Sequence, residues 1–339
     1  MTPSHRPLGP FQVHPVGLGC MNLSHAYGAP PPADVAERLL LTALDLGANL
    51  VDTAALYGFG ANETLVGRVL KAQRSRIVLC TKGGMAGEPV GDGGALQRVI
   101  DGRPATLRRH CEDSLRRLGT DVIDLYYLHR WDKAVPVEDS VGELARLVER
   151  GHVRTIGLSE VSAATLRRAH AVHPITAVQS EYSLWSRNPE LGVLAACREI
   201  GAAFVAFSPT ARGLFTGTPP DPAAFAPKDI RRAMPRFEPA NWAANLKLRD
   251  AVATVADEAG VPGLTLAQLA LAWVLARGEH VIALPGTTQE AHLRENLGAA
   301  ALILAPEIIS KLDAICTPRA VAGARYNAQN ASEVDTEEF

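Results

Sequence analysis

Eight short apolar runs of β type alternate with helix-patterned segments along this chain, and that alternation restricts it to a parallel α/β architecture. The runs are Gly17–Met21, Asn49–Thr53, Ile77–Lys82, Val122–His129, Val153–Leu158, Ala177–Ser180, Ala203–Phe207 and Val281–Leu284. Nearly every position in them is apolar, as in parallel strands covered on both faces. The segments between them carry helical spacing and helix punctuation. Val35, Leu39, Ala43 and Leu46 share one face of a segment that begins after Pro30-Pro31-Pro32 and stops at Gly47. Arg103–Leu118 has Pro104 in its first turn and Gly119 at its end. Further helices are predicted at Asn62–Leu70, Val137–Arg150, Ala163–Ala171, Leu191–Ile200, Asn241–Gly260 and Ala291–Ala299. Thr265–Ala276 and Pro306–Ile315 are helices in excess of the alternation.

Eight βα units in 339 residues predict a (β/α)8 TIM barrel with extra C-terminal helices. A doubly wound open sheet is the competing architecture. It would carry G-x-G-x-x-G straight after its first strand, whereas Gly17-Leu18-Gly19 is followed by neither a third glycine nor an immediate helix. No linker divides the chain, so 1–339 reads as one barrel domain, with 327–339 as a flexible tail. Two longer irregular stretches stand out, Gly83–Gly102 and Gly213–Pro239. The second holds six of the 23 prolines and is expected to lie as a loop over the barrel mouth. Leu8–Val13 reads as a small hairpin closing the barrel floor.

Charge and composition narrow the partners. Formal net charge is −2 with acids and bases interspersed, which argues against nucleic acid or an anionic membrane surface. No signal peptide is visible, and Leu264–Ala276 is too short to span a bilayer. Five scattered cysteines without a close pair fit a reduced, cytoplasmic protein. The ten histidines show no metal-ligand spacing, so no metal site is predicted.

In a barrel, reactive residues sit at the C-terminal ends of the strands. Asp52, Lys82 and His129 fall there on the second, third and fourth strands, and Tyr57 lies on the loop after the second. Taken singly, a strand-end Asp is a common turn residue, a loop Tyr a common packing residue and a lone His a common structural one. Lys82 is harder to dismiss, because a lysine ending an apolar strand is costly unless paired. Together they form a proton-donating group. A free phenol has a pKa of about 10, a nearby ammonium lowers it, a carboxylate keeps that ammonium charged, and a neutral imidazole can orient a carbonyl oxygen.

The chain resembles the aldo-keto reductase superfamily from about Val13 to Tyr326. The likeness rests on Leu50-Val51-Asp52-Thr53-Ala54 with Tyr57-Gly58, on Asn62-Glu63 and Val66-Gly67, and on Thr81-Lys82. Asp113–Gly119 leading into Ile123–His129, then Ile156–Ser159, Gln179–Ser183 and Phe207-Ser208-Pro209 extend it. Pro285-Gly286-Thr287 and Glu295–Ala299 complete it. Gly17-Leu18-Gly19-Cys20-Met21 is similar to the first strand of a bacterial branch of that family. The resemblance implies an NADPH-dependent reductase of aldehydes and ketones. It implies Tyr57 as proton donor, Lys82 and Asp52 as the pair that tunes it, and His129 as the carbonyl orienter. It implies that Ser159 and Gln179 hold the nicotinamide carboxamide, that the ring stacks on Phe207, and that Ser208 and Arg212 lie along the pyrophosphate. Gly286, Thr287, Thr288, Gln289, His292, Glu295 and Asn296 match the stretch that holds the adenosine 2′-phosphate and adenine.

The chain departs from relatives in two places. Glu160 stands where many have Asn after the serine. Thr288, Gln289 and His292 stand where many have basic residues, which leaves NAD possible beside NADP. Rim candidates are Met21, Leu23, Tyr27, Phe59, Met85, Trp131 and Trp185, and no arginine is clearly placed for an anionic substrate. A small carbonyl compound is the expected partner, and oligomeric state is left open. Two other readings share the tetrad: an alcohol or sugar dehydrogenase working in the oxidising direction, and a slow-turnover cofactor-sensing regulatory subunit like the β-subunits of potassium channels.

Overall fold

The computed structural model describes residues 5–90 and 94–339. A hairpin of β1 (Arg6–Leu8) and β2 (Phe11–Val13) comes first. The barrel strands are β3 (Leu18–Gly19), β4 (Leu50–Asp52), β5 (Val78–Gly83), β8 (Ile123–Leu128), β9 (Val153–Ser159), β10 (Ala177–Glu181), β11 (Ala203–Phe207) and β12 (Val281–Leu284). They pair in that order, every pair parallel. The ring closes where Gly17 N donates to Ala283 O (2.9 Å) and Gly19 N to Pro285 O (3.0 Å). Each strand falls on one of the eight runs predicted from the sequence; β3, β4 and β8 are shorter than their runs, and β5, β9 and β10 run one residue further.

The two-residue period of a strand divides its side chains between barrel interior and helical shell. Leu50, Val78, Cys80, Leu125, Tyr127, Ala177, Ala203, Val205, Ile282 and Leu284 form one buried cluster, and Leu8 and Val13 of the hairpin join it. Their alternates, among them Val51, Leu79, Tyr126, Leu128, Phe204 and Ala283, belong to the cluster that includes the helices. Asp52, Lys82, Gln179, Glu181 and Phe207 share the parity of the interior set. His129, one residue past β8, and Gly286, two past β12, do so too. The polar group at the mouth is therefore the continuation of the apolar interior.

The surrounding helices are α1 (Ala33–Asp45), α2 (Ala61–Leu70), α3 (Pro104–Leu118), α4 (Val137–Glu149), α5 (Ala163–Val172), α6 (Val193–Ile200), α7 (Pro239–Glu258), α8 (Leu266–Leu275), α9 (Glu290–Gly298) and α10 (Pro306–Ile315). Pro104 begins α3, and Gly119 ends it at φ 63°. Thr265 and Gln268 form a capping box on α8. No helix among the described residues is long and apolar enough to cross a membrane.

Two segments differ from expectation. Within Gly83–Gly102, β6 (Met85–Val90) and β7 (Ala95–Ile100) pair antiparallel as a hairpin over the mouth. Most of β7 is exposed, so this ribbon needs no apolar run, and the sequence pattern gave no sign of it. The segment 327–339, expected to be a flexible tail, folds back onto the barrel. It forms α11 (Ala328–Ser332), and Lys133 Nζ donates to Ser332 O (2.8 Å) and Val334 O (2.7 Å). Asp335 then bridges to Val161, and its Oδ2 accepts from Ser162 N (3.1 Å) at the start of α5. These bonds run to backbone atoms, which composition does not reveal. Gly213–Pro239 carries three short 3-10 turns, and part of it lines the mouth as expected.

Gly67 sets the contact between α2 and α3. A β-carbon there would stand 2.4 Å from Leu118 O, with only backbone to give way. Gly67→Ala should therefore destabilise the fold by about 1–3 kcal/mol despite its better helix propensity. An unchanged urea midpoint would show that the helices can part at no cost.

Candidate active site

Lys82 is 1% exposed and needs a full set of acceptors to remain charged. It has one. Its Nζ ion-pairs with Asp52 Oδ1 and donates to Thr53 O (2.9 Å) and Tyr57 OH (3.3 Å). The other Asp52 oxygen accepts from Gln179 Nε2 (2.8 Å). The Tyr57 and His129 rings meet edge-on at 5.8 Å between centroids. The structure thus brings all four residues of the predicted tetrad into one buried cluster.

Local backbone holds Tyr57 there. After β4 the chain coils tightly, with Gly58 at φ 56°, Phe59 at 51° and Gly60 at 95°. Glycine makes the first and last of these unstrained. Asn62, fully buried on α2, accepts from Thr53 Oγ1 (2.6 Å) and donates to Cys20 O (2.8 Å) and Ser24 Oγ (2.9 Å). The next residue, Glu63, accepts from Thr81 Oγ1 (2.5 Å) and Arg117 Nε (2.7 Å). One turn of helix therefore ties the ends of β3, β4 and β5, the strand of Asp52 and its two neighbours.

Burial sets the proton affinities. It pulls the Lys82 ammonium down, but Asp52 and Tyr57 together more than offset that, and the net shift is upward. Burial also raises the Tyr57 phenol, and the attraction of Lys82 does not outweigh it. The sequence-based expectation of a lowered phenol pKa is therefore reversed, because the hydroxyl is desolvated as well as paired. His129 is held well below the ordinary imidazole value by burial first, then by Lys82, Arg130 and Arg98. It is neutral near pH 7.

The tetrad opens into a cleft of about 480 Å³ at the C-terminal rim of the barrel. Ser159, Gln179, Phe207, Ser208, Arg212 and Gly286 line it. Ser208 and Arg212 have positive φ, at 51° and 53°. The Arg212 guanidinium is buried, ion-paired to Glu181 (2.5 Å) and donating to Tyr27 OH (2.9 Å) and Tyr326 OH (3.3 Å). Beyond Gly286 the wall continues outside the cleft into the start of α9. There Thr287 Oγ1 accepts from Gln289 N (3.1 Å), and Thr288, Gln289 and His292 are accessible. Glu295 is half-buried and Asn296 buried on the same helix. No cluster of His, Cys, Asp or Glu able to hold a metal occurs among the described residues.

A family model described as the aldo/keto reductase family matches residues 15–317. The chain belongs to that family. It is accordingly an NAD(P)H-dependent oxidoreductase. Solved relatives agree with the barrel. A glycerol dehydrogenase from Gluconobacter oxydans is 29% identical over 94% of this chain and 96% of its own, with a TM-score of 0.82. The holo form of an aldo-keto reductase from Bacillus halodurans is 26% identical over 97% and 99%, with a TM-score of 0.76. An aldo/keto reductase from Klebsiella pneumoniae, in complex with NADP and acetate, is 25% identical over 96% and 99%, at 0.70.

Several rim expectations need correction. Met21, Tyr27 and Met85 line the cleft, but Leu23 and Trp185 are packed in the core, Trp131 packs partly buried against it, and Phe59 is 43% exposed. Glu160 does not reach the cleft: it ion-pairs with Arg325 and accepts from Glu181 N (2.8 Å). The sequence places no arginine clearly for an anionic substrate, whereas the structure brings Arg98 and Arg130 to the rim. Arg130 follows a strand-end histidine, which was a usable signal. Arg98 arrives on the unpredicted hairpin, and its partner Glu333 on the refolded tail.

Lys82→Met leaves Asp52 buried without its cation. It should cost about 3–5 kcal/mol near pH 8. Burial raises the Asp52 carboxyl. The bare carboxyl therefore takes up a proton as pH falls, and part of the loss should return toward pH 5. The double variant Asp52→Asn with Lys82→Met should be more stable than Lys82→Met at pH 8. Equal denaturant midpoints would show that the pair carries no such coupling.

Proposed function

We propose that this protein is an NADP-dependent reductase that converts aldehydes or ketones to alcohols, with Tyr57 as the proton donor. The observation that carries the reading is the buried Lys82 ammonium bound at once to Asp52 and to the Tyr57 hydroxyl at the floor of the cleft. The cleft suits a dinucleotide. Phe207 offers a partly exposed ring, and Arg212 and Arg231 bring cations to the wall. The chain leaving Gly286 starts a helix whose first N–H groups favour an anion. The complex of the Klebsiella relative with NADP supports the same cofactor here.

When bound, NADPH supplies the hydride that adds to the carbonyl carbon. The protein does the rest. Ser159 and Gln179 hold the carboxamide end, Gln179 through the oxygen that Asp52 leaves free. His129 is neutral and hydrogen-bonds the carbonyl oxygen, orienting it toward Tyr57. The raised phenol pKa keeps Tyr57 protonated at neutral pH, so its proton is available when the oxygen becomes strongly basic. Lys82, at 3.3 Å, then stabilises the phenolate that remains. The reverse reaction uses the same groups with the phenolate as base, and likeness to a glycerol dehydrogenase supports that direction as a second reading.

Tyr57→Phe should lower kcat for aldehyde reduction by about 10²–10⁴-fold while NADPH affinity stays nearly constant. A variant keeping more than a tenth of the rate would remove Tyr57 from the acid role. Gln289→Arg should tighten NADPH binding and leave NADH binding alone, because a guanidinium adds a charge-assisted bond, roughly twice as strong as a neutral one, to the 2′-phosphate. Titration of both cofactors checks this. Equal tightening of the two would place the 2′-phosphate elsewhere.

A further inference from the structure

Four arginines line the cleft: Arg98, Arg130, Arg212 and Arg231. Three are neutralised. Arg212 pairs with Glu181, Arg231 with Asp229 (2.7 Å), and Arg98 with Glu333. Arg130 ion-pairs with no carboxylate among the described residues. Its Nη1 donates to His129 O (2.7 Å) and Ser159 Oγ (3.2 Å), both neutral acceptors. The Nε and Nη2 edge donates to no described protein atom. That edge is the side of a guanidinium that grips a carboxylate through two parallel bonds.

Its place in the chain puts this cation next to the reacting atoms. Arg130 directly follows His129 at the end of β8, beside Ser159 at the end of β9. Arg130 lines the same cleft as Tyr57 and His129, and its charge is felt by both. The other acids of the cleft lining, Asp52 and Glu333, are already paired. The catalytic corner therefore carries one uncompensated positive charge with an open two-donor edge.

We propose that Arg130 anchors a carboxylate of the substrate, so that the cleft prefers oxo-acids and carboxyl-bearing aldehydes over neutral carbonyl compounds. This rests on the reductase reading above. The anchored group is assigned to the substrate rather than to the cofactor, because Arg130 adjoins His129 of the tetrad in the chain and bonds its carbonyl, whereas Arg212 and Arg231 belong to the segment after β11. Arg130 is here a specificity residue. It positions the substrate and transfers no proton.

The test compares 4-formylbenzoate with 4-methylbenzaldehyde, which differ in charge at the same ring position. For the native protein, kcat/KM should favour the carboxylate by about 10–100-fold, the range for hydrogen bonds to a charged group. Arg130→Gln should collapse that ratio toward one. Any effect of the substitution on the shared chemical step or on the cofactor acts on both aldehydes and cancels in the ratio. Arg130→Lys, which keeps the charge and loses the fork, should give an intermediate ratio. Calorimetry of 4-formylbenzoate binding to the protein–NADP+ complex gives a readout independent of turnover, and Arg130→Gln should weaken it by a similar factor. A native ratio at or below one overturns the proposal. So does a ratio unchanged in Arg130→Gln, including the case in which NADPH affinity drops and Arg130 proves to be a cofactor contact. Arg130-dependent binding without reduction of any aldehyde would uphold the anchor and sink the reductase reading alone.

Discussion

A closed ring of eight parallel strands leaves each side chain only two directions, and the site follows from that restriction. Every second residue points inward, so an inward position at a strand's C-terminal end has nowhere to go but the mouth. Asp52, Lys82 and Gln179 sit on different strands, yet parity brings them together without any loop having to steer them. The apolar layers beneath, from Leu50 to Leu284, fix the height at which they emerge. Precision at the floor is thus inherited from packing in the barrel, and a one-residue slip of any strand would turn its contribution outward.

Desolvation then decides how these groups behave. A lysine and a carboxylate at this depth are tolerable only as a hydrogen-bonded set, and the set is closed by Thr53 O, Gln179 and the Tyr57 hydroxyl. The same burial that forces the pair together raises the phenol and lowers the imidazole. The site therefore rests with Tyr57 protonated and His129 uncharged, the state that the proposed reduction would require. Considering Lys82 as the sole influence on Tyr57 gives the opposite direction, because it omits the water the hydroxyl has lost.

The sequence was informative wherever structure repeats with a short period. All eight strands were visible because buried parallel strands are continuous apolar runs. The tetrad was visible because each strand-end member directly ends such a run, and Tyr57 follows within one short loop. The hairpin of β6 and β7 escaped because it is a half-exposed ribbon held by its own backbone pairing. The refolded tail escaped because its attachments, such as Lys133 to two carbonyls, join residues about 200 positions apart through atoms every residue possesses. Arg98 and Glu333 meet across those two segments, so neither could be placed until both were. Glu160 shows the complementary limit. Its place after Ser159 was legible, but its partner Arg325 is 165 residues away.

The seam of the barrel has a consequence of its own. β3 is two residues long and meets β12 through single bridges, at Val16 with Ala283 and at Gly19 with Gly286. A β-carbon on Gly286 would come within 3.1 Å of Gly19 O, so the two backbones lie in direct contact. Gly19 and Gly286 also line the cleft. A molecule lying along that wall spans the joint between the first strand and the last. Its binding energy therefore opposes the partial opening of the ring, and amides of the first strand should exchange more slowly with solvent when the cleft is filled. What the protein binds would thus reinforce a closure that the bonds of Gly17 N and Gly19 N already make.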